Sequence, residues 1–377
     1  MNLVLDFLLI AGVLFTCFII VFLYKKKDKE ISFRVLIGIF AIILLVFINH
    51  YAYLHQLRYL FYGTFIFSDS ADVLIGPLLL LYVRVVIKKN NNIFRANAIH
   101  FVVPLLYVLV ISIPILWMNY YKYKIHYIYL LENYLLFTEL YSIGYCLFSL
   151  SILIQFQKLV RFNFSNLDNR DLNWFKYLLI GVLVVFFIEL SSSFYEVFFD
   201  DTGFEIGYIT VISIIFLVFY LGYYGIFQSS ILLPDFLFEI ANSKYSDIES
   251  KSTNTTYNYD SLEMEKLSRS LNNIMIAKKP FLDEDLTLNG LAGLLEIPDK
   301  KLSVLLNQTM EVSFYDYVNG FRVEEFKDKI VLPEFEKYTL LAIAFESGFK
   351  SKSSFNRIFK KLTKSSPSNY RKQLSNR

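Results

Sequence analysis

Long apolar runs separated by short polar stretches dominate the first 230 residues. A helix of about 20 apolar residues spans the roughly 30 Å hydrocarbon core of a bilayer. Seven runs reach or approach this length: 3–24, 33–54, 71–87, 98–118, 133–156, 174–198 and 207–227. Backbone inside a bilayer must satisfy its hydrogen bonds internally, so these runs are predicted to be helices. The pattern therefore predicts a seven-helix membrane domain over residues 1–230.

The composition agrees with burial in lipid. Of the 377 residues, 55% are hydrophobic and only 19% are charged, whereas soluble domains have about 25% charged residues. The two cysteines lie inside apolar runs, and the four histidines have no spacing typical of a metal site. No catalytic motif is recognisable either. The sequence therefore indicates neither an enzyme with catalytic residues nor a bound metal or cofactor.

Basic residues are distributed unequally among the loops between the predicted spans. The loops after spans one, three and five carry twelve Lys and Arg residues, whereas the loops after spans two, four and six carry three. Loops rich in Lys and Arg stay on the cytoplasmic side of a membrane. The asymmetry predicts a multi-pass protein whose N-terminus lies outside and whose residues after Gln228 lie in the cytoplasm.

Carboxylates lie inside the fifth and sixth predicted spans. Glu139 is in span five, and Glu189 is in span six, two residues before a run of three serines. An ionisable group costs several kcal/mol at the centre of a bilayer unless it is paired or hydrated. Two interpretations remain open, because the pair can line a polar cavity or form structural hydrogen bonds between helices. Glu139 and Glu189 are therefore candidate signal-sensing residues.

The character of the sequence changes after residue 230. Residues 231–260 are rich in Ser, Thr, Asn and charge, which is typical of a flexible connector. A helical period returns in residues 261–377. Its first stretch has an apolar stripe that predicts an entry helix: Leu262, Met264, Leu267, Leu271, Ile274 and Met275.

Two pairs of short helical patterns follow the entry helix. Their sequences are LTLNGLAGLLEIPDKKLSVLLN and YTLLAIAFESGFKSKSSFNRIFKKL. Thr287 is expected to cap the first helix, and Gly348 occupies a turn that requires a positive φ. Two short helices joined by a tight turn form a helix-turn-helix, whose second helix can enter the major groove. A longer amphipathic helix, SFYDYVNGFRVEEFKDKIVL, is predicted to hold two such readers about one DNA turn, roughly 34 Å, apart.

The charge differs sharply between the two helix-turn-helix units. Residues 280–349 contain thirteen acidic and six basic residues, whereas residues 350–377 contain nine basic residues and no acidic one. A localised basic surface is typical of nucleic-acid binding, and a solvated basic tail is the alternative.

The apolar stripe of the second reader predicts which residues face the DNA. If Phe355, Ile358, Phe359 and Leu362 are buried, Ser353, Arg357 and Lys360 lie on the opposite face, with Asn356 and Lys361 at its flanks. Together with Lys352, these are the candidate DNA-binding residues of the second unit. In the first unit, inward Leu302, Leu305 and Leu306 leave Lys300, Ser303, Val304 and Asn307 outward. Arg357 is the best candidate to read a base, because a guanidinium can bind guanine through two hydrogen bonds, whereas Val304 offers only apolar contact.

These motifs carry a family resemblance. The run from Lys279 to Tyr370 resembles the DNA-binding domain of the AraC/XylS family of bacterial transcription regulators. The densest part is IAFESGFKSKSSFNRIFKKLTKSSPSNYR, and LTLNGLA, KLSVLLN and FYDYVNGFRVEEF carry the rest. Lys364 stands where the family usually has Gly, and Val304 stands where an arginine is often found. The segment GPLLLLYVRVV from Gly76 is similar to part of the family's membrane-embedded subgroup. The resemblance implies a one-component regulator that binds promoter DNA from the inner membrane of a bacterium.

Taken together, these patterns predict an all-α protein: a seven-helix sensor in residues 1–230, a connector in 231–260, and a double helix-turn-helix domain in 261–377. The leading hypothesis is a membrane-bound transcription regulator. One alternative is a transporter or receptor whose tail does not bind DNA, and a second variant requires proteolytic release within the connector. The expected partners are double-stranded DNA, the lipid bilayer and an unidentified signal ligand, and RNA polymerase and a second copy in a homodimer are further candidates.

The unequal loop charge leads to a testable topology. A reporter that is active only outside the cell should be silent when it is fused in the loops with many basic residues and after the last span, and active in the other loops. An outside signal after Ser250 would contradict the orientation, because it would separate the C-terminal domain from DNA. The silent fusions are expected after Lys27, Lys89, Arg161 and Ser250, and the active ones near Arg58, Lys124 and Asp201.

Overall fold

The computed structural model describes residues 2–25, 31–87, 93–121, 134–167, 172–198, 207–227 and 260–375. Within these ranges the chain is helical, apart from turns and one isolated β-bridge between Phe164 and Thr287. The predicted all-α class is therefore confirmed. The described residues divide into two compact units, of which the membrane unit contains residues 2–154 and 172–227 and the helix-turn-helix unit contains residues 155–167 and 260–375.

The membrane unit consists of apolar helices in sequence order. A 3-10 turn at Ala98–Phe101 and a π turn at Val108–Ser112 divide the stretch Ile93–Tyr121, which contains the fourth predicted run, into three short α-helices. The helices are α1 (Asn2–Lys25), α2 (Ile31–Leu54), α3 (Arg58–Asp69), α4 (Ala71–Ile87), α5 (Ile93–Asn97), α6 (Val102–Tyr107), α7 (Ile113–Tyr121), α8 (Tyr134–Asn163), α9 (Asn173–Phe198) and α10 (Gly207–Phe227).

The number of spans is close to the predicted seven. By length and hydropathy, five helical stretches in the described residues could cross a membrane, and α3 with α4 makes six if this bent pair counts as one span. The last run forms α10, whose apolar part Ile209–Tyr220 is shorter than a full span. The seven-span count is therefore approximate.

Helix α3 lies in a segment that the hydrophobic pattern left outside the predicted spans. It meets α4 at an angle of 49°. Asn49 of α2 holds it in place, because its amide donates to Phe61 O at 2.9 Å and to Thr64 Oγ1 at 3.0 Å. These hydrogen bonds join distant turns of the chain, so a local apolar pattern does not indicate them.

Several regions used for the topology and domain predictions lie outside the described residues. Most of the connector 231–260 is among them, so the orientation and the domain boundaries stay predictions. The basic loop residues concerned are Lys26, Lys27, Lys29, Lys88, Lys89, Lys122, Lys124 and Arg170.

The helix-turn-helix unit contains seven further helices and the end of α8. Side-chain caps start six of them, in each of which a side-chain oxygen accepts a hydrogen bond from a backbone N–H in the first turn: Asp260, Thr287, Ser313, Thr339, Ser351 and Ser366. Thr287 is thus confirmed as a cap. The helices are α11 (Ser261–Lys278), α12 (Leu288–Leu294), α13 (Asp299–Val304), α14 (Phe314–Ile330), α15 (Leu340–Glu346), α16 (Lys352–Thr363) and α17 (Pro367–Ser375).

Helix α14 contributes to both apolar cores of this unit. Its N-terminal half places Phe314 and Val318 in a cluster with residues of α11, α12 and α13. Its C-terminal half places the ring of Phe326 4.7 Å from that of Phe355 and 5.3 Å from that of Phe359, both in α16. One rigid helix thereby connects the two helix-turn-helix pairs, as the sequence predicted. The predicted stripe of α11 is wrong at Leu262, which is 63% exposed because it lies in the first turn, before the packed face begins.

Arg322 of α14 is the central polar contact of the unit. It is 1% exposed, and its guanidinium donates five hydrogen bonds. Nε donates to Phe281 O at 2.7 Å, and Nη2 donates to Asp283 O at 2.7 Å and to Ser165 Oγ at 3.1 Å. Nη1 donates to Ser165 O at 3.2 Å and to Asn319 Oδ1 at 3.3 Å. Burial lowers the pKa of Arg322 to about 10, so the group remains charged at neutral pH. Gly348 lies against this contact at φ +88°, where a Cβ would collide with Phe281 O and come within 3.1 Å of Arg322 Nε.

The segment that follows α8 packs into the helix-turn-helix unit. Phe164 and Leu167 are each 2% exposed. Ser165 donates through its amide and its hydroxyl to Leu286 O, at 3.3 and 2.7 Å, and Asn319 Nδ2 donates to Ser165 O at 2.9 Å. In sequence this segment lies between spans five and six, yet its buried contacts are with residues more than 120 positions later. We name residues 164–167 the docking loop.

The docking loop gives a stability prediction. Ser165→Ala should destabilise the helix-turn-helix unit by about 1 to 3 kcal/mol, because it leaves a buried N–H of Arg322 without its acceptor. The measurement is hydrogen exchange of amides in residues 281–326 of the full-length protein in nanodiscs. The matched control is Ser151→Ala, since the Ser151 hydroxyl is exposed and bonds only to Phe148 O of its own helix, at 2.8 Å. Equal exchange in both variants would contradict the role assigned to Ser165.

Candidate nucleic-acid interface

Helix α16 has one buried and one exposed face. Ser351 caps it by accepting from Ser354 N at 3.2 Å. The six residues predicted to face DNA in the second unit are all exposed on this helix: Lys352, Ser353, Asn356, Arg357, Lys360 and Lys361. On the opposite face Phe355, Ile358 and Phe359 are buried as predicted. The helix therefore presents a polar surface without losing its core contacts.

The predicted inward stripe of α16 is wrong at its last member. Leu362 is 46% exposed, and Ser354, at 5% exposed, completes the buried face instead. The helix ends one residue after Leu362, and Lys364 then adopts φ 59°. Because the chain turns at that point, Tyr370 of α17 packs its ring 5.4 Å from Phe359 and covers that end of the core. The left-handed conformation at Lys364 also explains why a glycine suits this position.

Two of the exposed cations already have partners on α14. Lys361 Nζ lies 2.6 Å from Asp316 Oδ1. Arg357 Nη2 donates to the hydroxyl of Tyr315 at 3.2 Å, and burial raises the pKa of this tyrosine, so the phenol remains neutral. The Arg357 contact uses one nitrogen and keeps the guanidinium on the exposed face. Neither partner was identified from the sequence, because each pair joins residues more than 40 positions apart.

The basic C-terminal stretch is partly structural. Lys350 pairs with Asp285 at 2.9 Å and with Glu284 at 3.4 Å, which raises the pKa of Lys350. Arg371 donates to Tyr338 O and Glu336 O at 3.0 and 2.8 Å. Within the described part of the chain, Lys352 and Lys360 have no ion-pair partner. These two lysines are the side chains best placed to contact phosphates, and the count of nine basic residues overestimates the free charge.

The first unit presents a smaller polar surface. Leu302, Leu305 and Leu306 are fully buried, as predicted. Lys300 is exposed, whereas Ser303, Val304 and Asn307 are half-buried. Asn307 Nδ2 donates to Ser303 Oγ at 3.1 Å, so these two predicted contacts are bonded to each other. Helix α13 is only six residues long and continues as a π turn over Leu305–Thr309.

A comparison with known protein families identifies a helix-turn-helix domain in one part of the chain. Residues 291–373 match the family model described as a helix-turn-helix domain. This stretch is an AraC-type helix-turn-helix domain, of the kind that binds DNA. It overlaps the run Lys279–Tyr370 that resembled the AraC/XylS family from sequence alone, and it extends three residues beyond it. No match to the chain was found among curated proteins or among solved structures.

The ion pairs predict different roles for two neighbouring lysines. Lys360→Ala should weaken binding to all duplexes and reduce the salt slope of the binding constant by about one, whereas Lys361→Ala should reduce it by less, because Lys361 is engaged by Asp316. Asp316→Asn should steepen the slope by releasing Lys361. The measurement is fluorescence anisotropy of duplex binding by the full-length protein in nanodiscs over a salt series.

The matched control for these variants is Lys266→Ala, an exposed lysine on α11. It should leave the slope unchanged. A larger loss of slope for Lys361→Ala than for Lys360→Ala would contradict the assignment of phosphate contacts.

Proposed function

We propose that the protein is a membrane-bound, one-component transcription regulator that binds promoter DNA sequence-specifically in response to a signal detected by its membrane unit. The observation that carries this proposal is the exposed polar face of α16. This face lies on the second helix of a helix-turn-helix pair within an AraC-type domain, and the same chain contains several helices that could cross a membrane. A recognition helix needs such a face, rich in donors, to read base edges.

The second helix-turn-helix unit is proposed to be the main reader. Helix α16 has twelve residues and six exposed polar side chains, including Arg357. Helix α13 has six residues, and its candidate contacts Ser303 and Asn307 bond to each other. Most of the base discrimination is therefore assigned to α16, with α13 making phosphate and apolar contacts.

The regulator is proposed to act as an intact membrane protein. Proteolytic cleavage within residues 231–260 would separate the C-terminal helices from residues 155–167, which pack in the same compact unit. Release would expose Phe164 and Leu167, and it would remove Ser165 from Arg322. A buried charge that loses its partners costs several kcal/mol. The docking loop thus favours a tethered regulator over the variant that requires release.

The competing function is a transporter or receptor whose tail no longer binds DNA. Such a tail has no requirement for an outward face of Lys, Arg, Asn and Ser on α16, and this face is present. RNA polymerase and a second copy of the chain are further partners that a promoter-binding regulator can use. The orientation with the C-terminal domain in the cytoplasm belongs to the same proposal.

Sequence preference tests the proposed function directly. The full-length protein in nanodiscs is expected to enrich one sequence from randomised duplexes. Arg357→Ala should weaken binding to that sequence by about 1 to 3 kcal/mol and relax the preference at one base pair. Val304→Ala should change the preference less, because a valine can contact only a thymine methyl. Sequencing of the bound duplexes measures both effects.

Two outcomes would contradict different parts of the proposal. If Val304→Ala changes the preference more than Arg357→Ala, the second unit is not the main reader. If the wild-type protein enriches no sequence, it is not a promoter-binding regulator, and the alternative function is favoured.

A further inference from the structure

The membrane unit contains a partly open cavity of about 300 Å³. Residues of α2, α3, α4, α8, α9 and α10 line it, and most of them are aliphatic or aromatic. This volume is at the lower end of the range for small-molecule sites, which are also mostly apolar with a few polar groups. The polar groups here are unusual for a bilayer-spanning region, because three carboxylates face the cavity: Asp72, Glu139 and Glu189.

A close approach of α4 and α8 brings two of these carboxylates together. At Gly76 an added Cβ would lie 2.9 Å from Tyr145 Cβ and 3.4 Å from Ser142 Cα, so only glycine permits this packing. One turn earlier, the Ser142 hydroxyl donates to the backbone carbonyl of Asp72. Glu139 precedes Ser142 by three residues and is 4% exposed. The packing of the two helices thereby fixes Asp72 and Glu139 at one wall of the cavity.

Helix α9 provides polar atoms that have no partner among the described residues. Glu189 Oε2 and Ser192 Oγ are buried and make no hydrogen bond to any described residue. Both residues line the cavity, and Glu189 is close enough to Asp72 and Glu139 for their charges to interact. Among the described lining residues there is no Lys or Arg, and the one histidine, His50, bonds through Nδ1 to Val46 O at 2.9 Å. For Asp72 and Glu189, the described lining therefore provides no Lys or Arg as a counter-charge.

We propose that this cavity binds an organic cation, with an ammonium group among the three carboxylates and an apolar body against the aliphatic lining. An ammonium provides three N–H donors, which match the unpartnered Glu189 Oε2 and Ser192 Oγ together with a carboxylate of α4 or α8. A bare metal ion uses neither the volume nor the apolar lining. The role of this ligand as the signal of the regulator rests on the proposed function. Binding of the ligand to the cavity does not depend on that function.

The test uses tritiated octylammonium as the probe and full-length protein in nanodiscs, with empty nanodiscs to correct for partition into lipid. Saturable binding is expected at one site. Glu189→Gln should weaken the affinity by about tenfold or more, because the charge-assisted hydrogen bond is lost. Asp6→Asn is the matched control, since Asp6 pairs with His55 at 2.8 Å and does not line the cavity. Neutral octanol should not compete with the probe.

Three results would overturn the proposal: no saturable binding, the same affinity in wild type and Glu189→Gln, or equal competition by octanol and octylammonium. Glu139→Gln provides a second test if Glu189→Gln does not yield folded protein, and it should also weaken binding by about tenfold. DNA binding is measured separately on the same preparations. Loss of cation binding with intact DNA selection refutes only this inference, whereas cation binding without DNA selection refutes only the regulator.

Discussion

The helix-turn-helix unit depends on the buried guanidinium of Arg322. A charge in a protein interior is tolerated only when its hydrogen-bond donors are satisfied. Arg322 meets this condition, because its guanidinium donates five hydrogen bonds to four other residues. The acceptors come from three separate parts of the chain: the docking loop, the segment before α12, and α14 itself. The contact therefore fixes the position of α14 relative to both neighbours. Position 348 requires a glycine partly because the turn before α16 lies directly against the Arg322 guanidinium and its acceptor Phe281 O.

The position of α14 determines what the recognition helix presents. Phe326 packs on Phe355 and Phe359 and sets the rotation of α16. Tyr315 and Asp316, at the start of α14, hold Arg357 and Lys361 at one edge of the exposed face. The proposed DNA interface is thus a consequence of the same helix that carries Arg322. The docking loop enters this arrangement through Ser165, which gives the region between spans five and six a direct contact with the framework of the reader.

Local pattern predicted much of this architecture. The apolar runs indicated the membrane helices, and the spacing around Thr287 and Gly348 indicated the two helix pairs, because caps, turns and helical period are properties of neighbouring residues. The exposed face of α16 followed from the same period, with an error only at Leu362, where the helix ends.

The remaining features depend on contacts between distant residues. Arg322 looked like one of several polar residues on an amphipathic helix, and its partner Ser165 lies 157 positions away. Asp72, near the start of a predicted span, gave no signal of its own. It became part of a carboxylate cluster only when Gly76 allowed α4 to approach α8.

The central claim is that an intact membrane protein binds specific DNA. Genome-wide mapping of cross-linked DNA tests it most directly when the protein carries one epitope tag at the N-terminus and a different one at the C-terminus. Both tags are predicted to recover the same discrete sites, because membrane spans and reader remain on one chain. Recovery through the C-terminal tag alone would show that the domain is released, and recovery through neither tag would contradict the regulator.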